Sequence, residues 1–252
     1  MSSENTKQVE VIFSPALFEY RQIKSNYIIV IVDILRATTS ICTAFEWGVN
    51  SMIPVKTINE AREYKNKGFM VAGERIEETF EFADLGNGAN EFMTPNIKGK
   101  DIVHSTTNGT VAISMAQEAN PNEILIGAFS NISTLAEYLL SKKESVVILC
   151  SGWKNSFCIE DSVFAGALLE KILEKGCYIN HNDSAYSAID LWTSSKQDLM
   201  DQMQTKASHM NRLRKHKMDD VFPYTYTFDT CNVVPKLYKD ILKDALREDI
   251  NK

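Results

Sequence analysis

Five consecutive β-branched residues, Ile28 to Val32, constrain the fold of this chain more than any other stretch. The run has no polar alternate positions, so as a strand it must be covered on both faces. It breaks at Asp33, and Arg36 with the hydroxyls of Thr38, Thr39 and Ser40 follows before a helical pattern that runs to Gly48. Strand, polar turn and helix in that order predict an α/β unit. In such units ligands gather at the carboxyl ends of strands, against the N-termini of the helices that follow. A carboxylate, a guanidinium and several hydroxyls suit a metal-assisted phosphate site.

The pattern recurs. Apolar runs at 9–13, 51–55, 69–72, 101–104, 123–126 and 145–149 predict strands, and 59–67, 109–117, 131–140 and 159–173 predict helices. Strands alternating with helices predict a largely parallel α/β sheet, with a division into two similar lobes near residue 100. Residues 74–100 predict a long loop, rich in Glu, Gly and Asn, of the kind that usually carries function. From Tyr178 the pattern turns helical: 183–217 predicts helix, with the basic segment 212–217 (RLRKHK) as a solvated face. An edge strand is expected over 228–234, and Pro235 is expected to open a final amphipathic helix.

Charge and cysteine usage exclude several classes. A net charge of -6 and a pI near 5.4 argue against a nucleic-acid surface. The five cysteines are odd in number and have no CxxC spacing, which argues against a disulfide framework and a structural zinc site. No apolar run approaches the roughly 18 residues of a membrane span, and residues 1–10 have no signal-peptide core, so a cytoplasmic protein is expected.

Four polar turns carry the candidate chemistry: Asp33 to Ser40; Gly73-Glu74-Arg75; Ser105 to Thr110; and Cys150 to Asn155, with Glu160 and Asp161 close behind. Any one alone is as well explained by helix capping or a helix dipole. Four turns leaving the same edge of one sheet are the signal. Known phosphatase chemistries then fall away. An aspartyl-phosphate enzyme needs DxDx[TV], but Leu35 stands where the second aspartate belongs. A cysteine phosphatase needs an arginine six residues after its cysteine, and from Cys150 that place is Ser156. The Walker pattern is absent, and four histidines form no binuclear motif. An oxygen-ligand site for a hard cation, Mg²⁺, is left.

The set VDILRATTS, GER, LGN, STTNGT, CSGWKN and Glu160-Asp161 with Ala165-Gly166 resembles the 2-phosphosulfolactate phosphatase family, over roughly residues 9 to 240. The resemblance implies a single domain with an α/β/α architecture. It also implies Mg²⁺-dependent hydrolysis of 2-phosphosulfolactate to 3-sulfolactate and phosphate, in the coenzyme M pathway. The chain departs from the family after GER, where Ile76-Glu77-Glu78-Thr79 replaces further glycines, and at Gly86-Asn87-Gly88-Ala89, where the family reads GNSP.

Asp33, Glu74 and Asp161 are the candidate metal ligands, with Glu160 as base or supporting carboxylate. Arg36, Arg75 and Lys154 are expected to neutralise phosphate or acid groups. Thr38, Thr39, Asn87, Thr106, Thr107, Asn108, Gly109, Ser151 and Gly152 are expected to bind the substrate. The loop from Ile76 to Asn90, with Glu77, Glu78 and Glu81, is expected to select the organic acid, because phosphate is common to every candidate. The partner is a small phosphorylated organic acid, and a homo-oligomer is left open. A non-catalytic anion-binding module and a covalent role for Asp33 remain alternatives; four retained carboxylates speak against the first.

Overall fold

The computed structural model describes residues 7–73 and 81–250. The apolar run becomes β2 (Tyr27–Val32), with all six residues buried. Side chains alternate across a strand, so a strand with no exposed residue is covered on both faces, the middle layer of an α/β/α arrangement. Parallel neighbours flank it. They are β6 (Glu123–Gly127) on one side and β7 (Ser145–Cys150) on the other, with β1 (Lys7–Ile12) and β8 (Tyr178–Asn180) beyond β7. Cover comes from α1 (Ala37–Glu46), α3 (Thr107–Glu118), α5 (Ile159–Leu173) and α6 (Asp183–Ser195), with α4 (Ile132–Ser141) against α5. A second parallel block holds β3 (Ser51–Val55), β5 (Asp101–Ser105) and β4 (Met70–Gly73), backed by α2 (Ile58–Asn66).

The C-terminal segment corrects two expectations. Residues 228–234 form no strand, and Pro235 opens a strand instead of a helix. β9 (Pro235–Tyr238) and β10 (Ile241–Asp244) make a hairpin, and a closing helix (Ala245–Ile250) follows it. Period-two burial in β9, with Pro235 and Leu237 inside, prevails over the helical reading. Pro is tolerated because it is the first residue of the strand. Lys239 turns the chain at φ +56. The hairpin lies in the middle of the sheet, in the order β4-β5-β3-β10-β9-β6-β2-β7-β1-β8.

That placement sets the direction of everything else. The steps from β6 to β9, β9 to β10 and β10 to β3 are all antiparallel. The two parallel blocks therefore run in opposite senses, and the four turns do not leave one common edge. The two blocks are not two consecutive halves of the chain: β1 and β2 belong to the larger block, β3 to β5 to the smaller, and β6 to β8 to the larger again. The stretch expected as one helix over 183–217 is three, α6, α7 (Leu199–Lys206) and α8 (Ser208–Lys215), and α7 ends where Ala207 becomes extended. Strand β8, in a region expected to hold almost none, is short and, among the described residues, pairs with β1 alone.

Candidate active site

The turn from β2 into α1 is closed by its own polar groups. The Asp33 N–H donates to Thr38 Oγ1 at 3.1 Å, the Thr38 N–H donates to the Asp33 carbonyl at 2.9 Å, and Thr39 Oγ1 donates to the Ile34 carbonyl at 2.9 Å. The Thr38 and Thr39 hydroxyls, expected on substrate, thus hold the backbone that presents Asp33. Asn87 is likewise a strut. Its carbonyl accepts from Ser40 Oγ at 2.9 Å, and its Oδ1 lies 2.7 Å from His104 Nε2 on β5.

Burial, and then the positive charge of Arg36, lower the His104 pKa from 6.5 to about 4. The native ring is therefore neutral, with Nε2 donating to Asn87. Between those two values the unfolded chain binds more protons than the folded one. The stability this group provides is full above the window and is lost as pH falls through it, up to about 3 kcal/mol. We expect His104→Gln to flatten the acid limb of stability. Urea unfolding at about pH 7 and about pH 4 checks this, and an unchanged acid slope would show that other groups govern it.

Asp161, in the first turn of α5, joins two strand-end turns. Its Oδ1 accepts the Ile34 N–H at 2.9 Å after β2, and its Oδ2 accepts the Gly152 N–H at 3.0 Å after β7. Asp33, Glu160 and Asp161 are all buried. Burial, then the charges of Glu160 and Asp33, push the Asp161 carboxyl well above its ordinary range. Three crowded carboxylates are a site waiting for positive charge. Ser151 Oγ, next to Gly152 in the turn after β7, is buried with no hydrogen-bond partner among the described residues.

The opposed second block meets this centre. A Cβ placed on Gly109, in the first turn of α3, would lie 3.5 Å from Asp33 Oδ2 and 3.3 Å from Ala37 Cβ. Thr106 is buried at the same helix start. Arg36 is buried and reaches Met218 Sδ at 3.4 Å. Asp33, Arg36, Thr106, Gly109, Ser151, Gly152, Glu160 and Asp161 thus come from turns the sequence singles out. Lys154 is different: it is exposed, with Nζ 4.7 Å from the Trp153 ring centroid. Glu74, Arg75, Glu77 and Glu78, and the side chains of Thr107 and Asn108, lie outside the described residues, and Glu81 is exposed.

Four further residues, His209, Arg212, Tyr226 and Cys158, surround the carboxylates, and none of them was expected at the site. His209 Nδ1, on α8, lies 3.4 Å from Glu160 Oε1. The Arg212 guanidinium, one turn later, stacks 3.8 Å from the Trp153 ring centroid, and its Nη2 is buried with no hydrogen-bond partner among the described residues. The Tyr226 hydroxyl is also buried and without a hydrogen-bond partner among the described residues; burial, then the charges of Glu160, Asp161 and Cys158, push its pKa up. Burial and the neighbouring carboxylates hold the Cys158 thiol protonated, a setting opposed to a thiolate nucleophile. The basic segment expected to face solvent therefore turns Arg212 inward.

Buried carboxylates at strand ends, helix N-termini close behind them and an inward arginine suit binding and hydrolysis of a small anion. Comparison with known proteins agrees. The family model described as 2-phosphosulpholactate phosphatase matches residues 12–240. The chain is 34% identical over 212 residues to a probable 2-phosphosulfolactate phosphatase of Thermotoga maritima, covering 84% of this chain and 89% of that protein. It is 32% identical to proteins of the same name from Caldanaerobacter subterraneus subsp. tengcongensis (86% and 90% covered) and Clostridium novyi (92% and 97% covered). No helix among the described residues is long and apolar enough to cross a membrane.

Proposed function

The chain belongs to the 2-phosphosulpholactate phosphatase family, and from that premise we propose that it hydrolyses 2-phosphosulfolactate, or a close phosphorylated organic acid, to the hydroxy acid and phosphate with Mg²⁺. The observation that carries this reading is the gathering of Asp33, Glu160 and Asp161 in one buried cluster that drives the Asp161 carboxyl far up. The donors are oxygens, which fits a hard cation. Asp33 and Asp161 would hold it. Bound there, Mg²⁺ supplies charge stabilisation of the phosphoryl group and a lowered pKa for an attacking water.

The chain's own groups do the rest. The paired backbone bonds to Asp161 fix its carboxylate without using all its lone pairs. Glu160 is the carboxylate free to accept the proton of the attacking water. The unpartnered Ser151 hydroxyl and the N–H groups at the start of α3 would receive phosphate oxygens. The seat of the second acidic group is Arg212, whose guanidinium is held in place by Trp153.

Chelation with verified metal removal should take phosphate release to background, and Mg²⁺ should restore it. Full turnover in excess chelator would overturn the metal requirement. Phosphate binding indifferent to Mg²⁺, with no turnover, would favour a non-catalytic anion-binding protein. Specificity is tested at Arg212. A charge-assisted hydrogen bond is worth about 1.5–3 kcal/mol, so Arg212→Met should raise KM for 2-phosphosulfolactate by about 10–100-fold. Hydrolysis of p-nitrophenyl phosphate, which lacks a second acid, should barely change. Equal losses on both substrates would place Arg212 on the phosphate instead.

A further inference from the structure

Cys158, Glu160 and His209 each offer a ligand atom, and among the described residues these atoms lie within 4.8 Å of one another. We infer that they form a site for a borderline divalent cation of the Zn²⁺ or Co²⁺ type, distinct from the hard-cation site of Asp33 and Asp161. The donor set is sulfur, oxygen and imidazole nitrogen, which disfavours Mg²⁺ and Ca²⁺ and suits metals of intermediate softness.

The spacing agrees. Tetrahedral coordination at bond lengths of about 2.0–2.2 Å puts a nitrogen and an oxygen ligand roughly 3.4 Å apart. His209 Nδ1 and Glu160 Oε1 are 3.4 Å apart. That separation is long for a charge-assisted hydrogen bond, which prefers about 2.7–2.9 Å. Two donors come from one rigid start, since Cys158 is the residue preceding α5 and Glu160 lies in its first turn. The third comes from the first turn of α8. Three protein ligands leave a fourth position open. The buried, unpartnered Tyr226 hydroxyl lies close enough to feel the charges of Glu160 and Cys158. It is the group available to hydrogen-bond a water in that position.

The charges balance. Binding takes the proton from Cys158 Sγ and releases it to solvent. The thiolate and the Glu160 carboxylate together match the cation's two positive charges, and His209 binds as the neutral ring. On the hydrolytic reading proposed above, Glu160 is then unavailable as a proton acceptor. Occupancy therefore switches off Mg²⁺-supported turnover. That consequence rests on the proposed function; the binding itself does not.

The test is a titration of metal-free protein with Co²⁺. The wild type should bind with a sulfur-to-cobalt charge-transfer band in the near ultraviolet. Cys158→Ser, shown to be folded by circular dichroism, should lose that band, and His209→Gln should weaken binding by at least about tenfold. No band in the wild type at a large excess of Co²⁺, or an unchanged band in Cys158→Ser, would overturn the site. In turnover assays Zn²⁺ should inhibit the wild type against saturating Mg²⁺ and spare Cys158→Ser; equal inhibition of both would overturn the switch. A protein without turnover under any condition would defeat the proposed function, while the cobalt spectrum would still decide the site.

Discussion

Asp33→Asn is expected to reduce kcat/KM by about 10²–10³-fold, the scale of losing one preorganised electrostatic contact to the transition state. The fold should stay intact. The turn that carries Asp33 is closed through its main chain, by the bonds of its N–H and carbonyl to Thr38, and asparagine keeps both. The variant also removes a negative charge that Asp161 feels at close range. In metal-free protein at neutral pH the thermal midpoint should therefore hold or rise. Loss of turnover with no loss of stability separates a working carboxylate from a structural one. Normal rates with normal Mg²⁺ dependence would return Asp33 to the status of a turn residue. A phosphoryl group trapped on Asp33 in the wild type would make it a nucleophile instead of a ligand.

Asp33 was legible because it ends β2, whose unbroken β-branched run must be buried on both faces. Burial on both faces shows in composition, so β2 and its carboxyl end could be placed from residues alone. Strand order does not show in this way. Nothing in the periodicity of β9 and β10 says that they sit between β6 and β3, yet that position turns the smaller block around. The turns still converge, because α3 packs its first turn over Asp33 instead of leaving a shared edge.

His209, Arg212 and Tyr226 were illegible for a different reason. They lie on or just after short helical pieces beyond residue 200, and their spacing follows no ligand motif. The basic segment looks like a solvated face because the break at Ala207, which reorients α8, has no glycine or proline to announce it. The hydroxyls of Thr38 and Thr39 mislead in the opposite direction. A threonine that closes a turn and a threonine that binds phosphate have the same sequence signature.

Gly152→Ala is expected to have the second large effect, and the cause is steric. Gly152 has φ +59, and a Cβ there would lie 2.2 Å from the carbonyl oxygen of Ser156. That oxygen cannot retreat cheaply, because it accepts the Trp153 N–H at 3.0 Å while the Ser156 N–H returns to Trp153 at 2.9 Å. The turn must open, and the Gly152 N–H then leaves Asp161 Oδ2. A buried carboxylate that already resists ionisation loses one of its two backbone donors and its orientation. Displacements of this size near a reacting group cost about 10²-fold in rate, and stability should fall by more than about 2 kcal/mol. Gly176→Ala is the control. It sits at φ +67 with nothing within 4 Å of the added methyl, so it carries only the left-handed backbone cost of about 1–2 kcal/mol and should leave turnover unchanged. If the two variants lose stability equally and both keep wild-type kcat, the turn after β7 does not position Asp161 for the reaction.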